Sequence, residues 1–240
     1  MKKIIIVILF IITAGKITYG QIAFESGLNM ANLALKAGGT KVNTSFKPGF
    51  AFGVVADTRL SQHIYFQPGA FYEMTGCKTT TDPKGSYYLN TVNVPLNIEY
   101  KTGEKCGRRF FAGAGPYVSY NISGNYTTVA YDNIPSTSTP ITIGTGNTSN
   151  IKAVDMGVGV NVGYILKNKL YARARYQQGL INLFPNGNSD NSIKSSEIGV
   201  TIGYIFGKCN AYHVHYARSP GSHWRGMSKS KYSRRVQHTW

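Results

Sequence analysis

The sequence predicts an all-β chain that forms an eight-stranded antiparallel up-and-down transmembrane β-barrel. Apolar and small or polar residues alternate strictly along eight long segments, as in Val154 to Tyr164, which reads VDMGVGVNVGY. The connections between these segments are alternately short and long, and no amphipathic helical pattern lies between them. At 240 residues and 42% hydrophobic content, the chain is long enough for one domain and does not require two.

The first element, residues 1–20, has the layout of a secretory signal peptide. Lys2 and Lys3 precede an apolar run from Ile4 to Ala14, and a small-x-small step ends at Gly20. The run is short for a membrane-spanning helix and is soon followed by Lys16, which makes a retained helical anchor the weaker alternative. We therefore expect an exported protein whose mature chain begins near Gln21.

The eight segments that follow are predicted strands, and together they make residues 21–207 the barrel domain. They are 22–32, 46–58, 63–76, 86–101, 108–124, 151–166, 169–182 and 194–206. The connections after the second, fourth and sixth strands are short, whereas those after the first, third, fifth and seventh are longer and polar. Tight turns at one end and longer loops at the other, with an even strand number, are typical of outer-membrane barrels.

The composition of the two strand faces predicts which face meets lipid. A soluble barrel would carry many Lys and Glu residues at strand centres, but here the polar face is mostly Gly, Ser, Thr and Asn with isolated charges. The other face is almost free of charge and carries Val, Ile and Phe, with Tyr or Phe near several strand ends. We expect the apolar face to contact outer-membrane lipid and the polar face to fill a narrow interior. A soluble lipocalin-like barrel is the alternative.

Five segments within the predicted barrel domain carry a family resemblance: ESGLNMANL, QPGAFYEMTG, VNVPLNIEY, FFAGAGPYVSY and EIGVTIGYIFG. They resemble the small outer-membrane β-barrel proteins of the PorT-like family, from Gram-negative bacteria of the Bacteroidetes group. The resemblance covers roughly residues 21–207 and implies an outer-membrane location and an accessory role in envelope biogenesis or secretion. It also implies that the barrel assembly machinery recognises the terminal aromatic residues Tyr204 and Phe206.

Nine charged residues fall on the predicted inward face. They are Glu25, Asp57, Arg59, Glu73, Glu99, Asp155, Arg173, Arg175 and Glu197. Because buried charges persist only when they are paired, we predict a network of salt bridges that fills the interior. A gated pore or proton path through the same residues is the functional alternative, although eight strands leave little room for a channel.

Residues 208–240 form a basic tail without periodicity, for which we predict disorder. Metal binding through Cys209, His213 and His215, or binding of an anionic polymer, is the alternative. Of the 26 basic residues, three lie in the predicted signal peptide and seven in this tail, so the formal charge of +16 overstates the charge of the barrel. No clustered basic patch is visible in the rest of the chain, and we expect no nucleic-acid partner.

No cofactor, metal site or catalytic residue is predicted for the barrel. Cys77, Cys106 and Cys209 are too few and too widely spaced for a disulfide framework or a metal-ligand pattern. His63 and Ser61 are the one formal base and nucleophile pair, and a solvated turn explains them better. The glycines of GVGVNVG lack the spacing of a phosphate-binding loop.

The predicted function is therefore a structural or interaction role through the outer loops. The segment at about 127–150 is the candidate contact for a protein or glycan partner, with a partnerless polar loop as the alternative. Besides the accessory role, the alternatives are a narrow porin and a membrane-embedded lipid-modifying enzyme.

Overall fold

The computed structural model describes residues 21–80, 84–103, 107–128, 135–144, 149–185 and 187–207. The predicted signal peptide, the predicted tail 208–240, Cys106 and Cys209 lie outside these ranges. No helix within them is long and apolar enough to cross a membrane. The strands are β1 Gln21–Ala37, β2 Thr40–Val42, β3 Thr44–Arg59, β4 Ile64–Thr79, β5 Gly85–Lys101, β6 Arg109–Thr128, β7 Ser138–Pro140, β8 Val154–Ile165, β9 Leu170–Gly179 and β10 Ser192–Phe206.

Eight of these strands are long and form a closed antiparallel ring, as predicted. The order around the ring is β1, β3, β4, β5, β6, β8, β9 and β10. The ring closes where β10 pairs with β1, from Ile22 opposite Phe206 to Lys36 opposite Ser192. The short strands β2 and β7 pair with β1 and β6. Closure leaves none of the long strands with an unpaired edge, which is the condition for placing a sheet in lipid.

Strict alternation separates an inward face from an outward face on each long strand. In β8, Asp155, Gly157 and Gly159 are buried, whereas the intervening valines and Met156 are exposed. The outward face carries the large exposed apolar side chains, among them Phe24, Leu28, Ile198, Val200 and Ile202. The interior therefore holds the polar set and the outside of the barrel holds the apolar set.

The two ends of the barrel differ in their connections. At one end, which we call the turn end, residues 60–63, 102–108 and 166–169 join consecutive strands. The other end, which we call the loop end, carries residues 38–43, 80–84, 129–153 and 180–191. The first two loop-end connections are shorter than predicted, because pairing continues as far as Ala37 opposite Thr40 and Thr79 opposite Gly85.

The longest connection is partly folded onto the barrel. β7 extends the β6 ladder through Tyr126 opposite Thr139, and Ile141 donates its main-chain N–H to the carbonyl oxygen of Gly124. Ile151 is buried, and Ile143 forms an isolated bridge with it. Apolar residues within and beside the polar segment 127–150 thus hold its described parts against the barrel.

The glycines of β8 give a test of how tightly the interior is packed. A Cβ at Gly163 would overlap the Phe111 ring and the carbonyl oxygen of Ala172, whereas a Cβ at Gly159 would lie 3.2 Å from the flexible Gln177 side chain. We expect Gly163→Ala to lower the free energy of unfolding by about 1–3 kcal/mol because it overpacks the interior. The matched Gly159→Ala should have the smaller effect. The free energy of unfolding of each variant is measured by urea titration, with the folded fraction read from the faster-migrating, heat-sensitive band on a gel. Equal effects of the two variants would contradict this packing.

Candidate functional site

Charged side chains are enclosed in the barrel interior. Eleven charged residues are buried: Glu25, Lys47, Asp57, Glu73, Glu99, Lys101, Arg109, Asp155, Arg173, Arg175 and Glu197. They come from β1, β3, β4, β5, β6, β8, β9 and β10, so each long strand contributes at least one. The inward face of the ring brings together residues that are far apart in the sequence.

The first group, which we call the turn-side network, centres on Arg173 and Lys101. Arg173 Nη2 lies 3.3 Å from Glu25 Oε1 and 3.1 Å from Glu99 Oε1. Lys101 Nζ lies 2.5 Å from Asp57 Oδ2 and 3.1 Å from Glu99 Oε2. Two cations therefore hold three carboxylates, with Glu99 shared between them.

Neutral groups complete the turn-side network. Gln67 donates to Asp57 Oδ1 at 2.7 Å and accepts a hydrogen bond from Arg173 Nη2 at 2.6 Å. Tyr171 and Thr201 donate to the two oxygens of Glu25, at 2.5 and 2.9 Å. These bonds lower the cost of enclosing charge away from water.

The second group, which we call the loop-side network, centres on Arg175. Its Nη2 atom lies 2.6 Å from Glu73 Oε1 and 3.0 Å from Glu197 Oε1. The Asn93 amide donates to both oxygens of Glu73 and to Gln177 Oε1. Arg173 and Arg175 stand two residues apart on β9, and so both point inward and each serves one network.

Asp155 stands apart from both networks. Its Oδ2 atom accepts hydrogen bonds from Ser195 Oγ and, at 3.5 Å, from the Tyr117 hydroxyl. No Lys or Arg nitrogen of the described residues lies within 4.0 Å of its carboxylate. Asp155 is thus held by hydroxyl groups rather than by an ion pair.

The predicted inward set differs from the observed set at Arg59. This residue closes β3 at the turn end, and its exposed side chain donates to the carbonyl oxygens of Ser61 and Gln62. Its strand parity is that of Asp57, but the strand ends before the side chain can be enclosed. Arg59 is therefore not part of the interior network.

Lys101, Lys47 and Arg109 are buried although the sequence analysis did not single them out. Lys101 has the parity of Glu99 and could have been found by continuing the alternation to the last residue of β5. Lys47 lies beside an irregular stretch of the β3–β4 pairing, and its ammonium group is 3.1 Å from the centroid of the Tyr88 ring. That contact depends on tertiary geometry that alternation does not encode.

Two apolar clusters pack against the charged residues. Val55, Phe71, Phe111 and Tyr171 belong to the first, which is interleaved with the turn-side network: the Arg173 guanidinium carbon lies 5.1 Å from the centroid of the Phe111 ring. Toward the loop end, a second cluster joins the strand residues Leu33, Cys77 and Leu89 to the loop residues Ile151 and Leu183. A cavity between the loop-side network and the second cluster has a volume of about 40 Å³, room for a few water molecules at most.

His63 and Cys77 are the remaining candidate groups, and the structure gives the contacts of each. The His63 Nδ1 atom is 3.0 Å from the Lys101 carbonyl oxygen, and its ring packs against Tyr100. Cys77 is buried with a free thiol. The described residues contain no group of three or more His, Cys, Asp or Glu side chains that could hold a metal ion.

Comparison with known proteins identifies the type of barrel. The family model described as outer membrane protein beta-barrel domain matches residues 18–185. No curated protein matches the chain.

Three solved structures with a similar fold illustrate the comparison. Neisserial surface protein A is 13% identical, with a TM-score of 0.42, and the match covers 77% of this chain and 97% of that one. OprG of Pseudomonas aeruginosa is 11% identical, with a TM-score of 0.45 and coverage of 78% and 96%. Ail of Yersinia pestis is 11% identical, with a TM-score of 0.38 and coverage of 78% and 99%.

The turn-side network makes a prediction about stability. Arg173→Met leaves Glu25 and Glu99 enclosed without this cation, and we expect the free energy of unfolding to fall by about 3–5 kcal/mol. The control Arg59→Met removes an exposed arginine at the turn end and should change the free energy of unfolding by less than about 0.5 kcal/mol. Both are measured by urea titration in detergent micelles. Equal stability of the two variants would show that the network does not hold the barrel together.

Proposed function

The chain belongs to the outer membrane protein beta-barrel domain family, and from this premise we propose that it is a closed, non-conducting barrel that acts as an interaction protein through its loop end. Membership of this family indicates location in the outer membrane. In such barrels the short turns face the periplasm and the longer loops face the outside of the cell. The loop end is then the part of the barrel that is open to extracellular partners.

The filled interior is the observation that carries this proposal. Two ion-pair networks occupy the interior, one apolar cluster is interleaved with the turn-side network, and a second cluster lies toward the loop end. A cavity of about 40 Å³ does not provide a continuous water path. An ion that crossed this barrel would have to break ion pairs and pass these apolar clusters, and each step carries a high free-energy cost.

The loop end carries polar backbone that is available for contact. The described segment 135–140 is fully exposed, and within it β7 forms the end of a short ladder with β6. Main-chain groups on the free side of such a strand can pair with an incoming chain or accept hydrogen bonds from a glycan. A role in envelope biogenesis or secretion would be one form of this interaction.

The alternatives draw less support from the geometry. A narrow porin needs an interior that water can cross, and here the interior is filled by side chains. A lipid-modifying enzyme needs a nucleophile within reach of a base. His63 instead directs Nδ1 at the Lys101 carbonyl oxygen, and Ser61 donates its main-chain N–H to the carbonyl oxygen of Ile64 within the turn.

A conductance measurement tests whether the barrel is closed. We expect the folded full-length protein in planar bilayers to show no sustained unitary conductance, because the ion pairs and apolar clusters block the interior. A sixteen-stranded porin inserted by the same procedure serves as the positive control. Reproducible unitary steps from the heat-modifiable, folded protein would overturn the proposal.

Site-specific crosslinking in intact cells tests the interaction. A photoreactive side chain at Thr139, on exposed β7, is expected to give a discrete adduct of higher mass. The same side chain at Gln62, in an exposed turn at the opposite end, is the matched control. Absence of an adduct at Thr139 in cells that insert the protein normally would contradict a partner at this strand, and an adduct at Gln62 alone would move the interaction to the periplasmic side.

A further inference from the structure

Three lysines form a patch on the outward face of the barrel near the loop end. Lys36 in β1, Lys41 in β2 and Lys194 in β10 are all exposed. Lys36 lies directly opposite Lys41 in the β1–β2 ladder. Lys194 lies opposite Ala34, two residues from Lys36 on the same face of β1, and so it is the diagonal neighbour of Lys36. We call these three residues the lysine patch.

The lysine patch has no ion-pair partner among the described residues. The six ion pairs of the described residues lie inside the barrel, and none includes a patch lysine. Asp190, the one described acid that is exposed, lies beside Gly39 in the β1–β2 turn, but no patch lysine nitrogen is within 4.0 Å of its carboxylate. Like charges directly opposite each other on a sheet are destabilising. An anion from outside the chain would remove that repulsion.

The height of the patch points to a lipid headgroup. The last large apolar pair on the outward face of β1 and β10 is Met30 opposite Ile198. Lys194 is four residues farther toward the loop end, which is about 13 Å along a strand and about 10 Å along the membrane normal at a usual tilt. From Met30 toward the turn end, the apolar outward face extends to Ile22 and Phe206, which is about 20 Å along the membrane normal. This height is close to that of the apolar band of outer-membrane barrels.

The direction of the side chains supports the same ligand. The three lysine side chains point outward from the barrel surface, because their positions fall on the same face of the sheet as Met30 and Ile198. They do not point away from the membrane, as loop side chains would. A lysine at this height can lower its ammonium group toward the membrane surface while its aliphatic stem stays on the barrel. A soluble anionic polymer would approach from above, where these side chains do not point.

We propose that the lysine patch binds the phosphate groups of outer-leaflet lipids. Three ammonium groups that start from adjacent positions match a phosphate better than an isolated lysine does, because each adds a charge-assisted hydrogen bond. The bound lipid compensates the opposed pair Lys36 and Lys41 and fixes the depth of the barrel on this side. The inference rests on the family assignment and on the orientation of the barrel, and it does not require that the interior be closed or that β7 bind a partner.

The test measures binding of a diphosphorylated lipid A to the folded, full-length protein in a zwitterionic detergent. The triple variant Lys36→Gln, Lys41→Gln, Lys194→Gln is expected to bind roughly 100-fold more weakly, at about fivefold per lysine. The matched control Arg59→Gln, Arg108→Gln, Lys167→Gln removes the same charge from exposed positions at the turn end and should bind like the parent protein. Heat-modifiable mobility verifies that each protein is folded.

Two further arms identify the source of the phosphate. Lipid A freed of its phosphates should bind the parent protein as weakly as the triple variant binds intact lipid A, and inorganic phosphate at millimolar concentration should not compete. Equal binding by the triple variant, or equal binding of the dephosphorylated lipid, would overturn the proposal. Binding of heparin but not of lipid A at the patch would overturn it in favour of a soluble polymer.

The single variant Lys41→Gln tests the proposal if the triple variant folds poorly. Without lipid A, this variant should not lower the midpoint of urea unfolding, because it removes the repulsion between Lys36 and Lys41. With saturating lipid A, the midpoint should rise less than that of the parent protein. A lower midpoint in lipid-free detergent would show that Lys41 has a structural role instead and would contradict the proposal.

Discussion

The structure depends on one constraint: the interior of an eight-stranded ring is too narrow to hydrate the charges that it encloses. Each inward carboxylate must therefore find a protein donor or cation, and Arg173, Lys101 and Arg175 meet five of the six such carboxylates. The sixth, Asp155, is satisfied by hydroxyl groups. Crowding also explains the small residues of the inward face, since the rings of Phe111 and Tyr171 occupy the space where Gly163 and Gly203 would carry side chains.

Under the same constraint, the outward-facing and inward-facing apolar residues have different roles. The outward set faces hydrocarbon and is exposed on the isolated barrel, as for Leu28 and Ile202. The inward apolar residues instead form one cluster that is interleaved with the turn-side network and a second cluster at the loop end. By excluding water they strengthen the neighbouring ion pairs, because the attraction of opposite charges grows as the local dielectric falls. The clusters and the networks are thus parts of one packed interior.

Alternation made the ring and its inside predictable, because a period of two assigns each residue to a face without reference to its neighbours in space. Alternation did not predict burial correctly at strand ends, where the face of the sheet does not decide whether a side chain is enclosed. Arg59 has inward parity, but it ends its strand and turns to the Ser61 and Gln62 carbonyl oxygens. Lys101 ends its strand too, but lies within reach of Asp57 and Glu99. The pairings of Arg173 and the inward folding of Ile151 depend on which strands face each other across the ring, and one sequence does not contain that information.

The networks are also non-local, which bears on how the barrel forms. Tyr171 and Thr201 reach Glu25 across 146 and 176 residues of sequence, and Arg173 joins β9 to β1 and to β5 on the far side of the ring. A hairpin of adjacent strands cannot satisfy Glu25, because its partners arrive only with β9 and β10. Pairing of Glu25 and closure of the edge between β1 and β10 thus require the same late strands, so the interior charges favour the closed ring over open sheets of those strands.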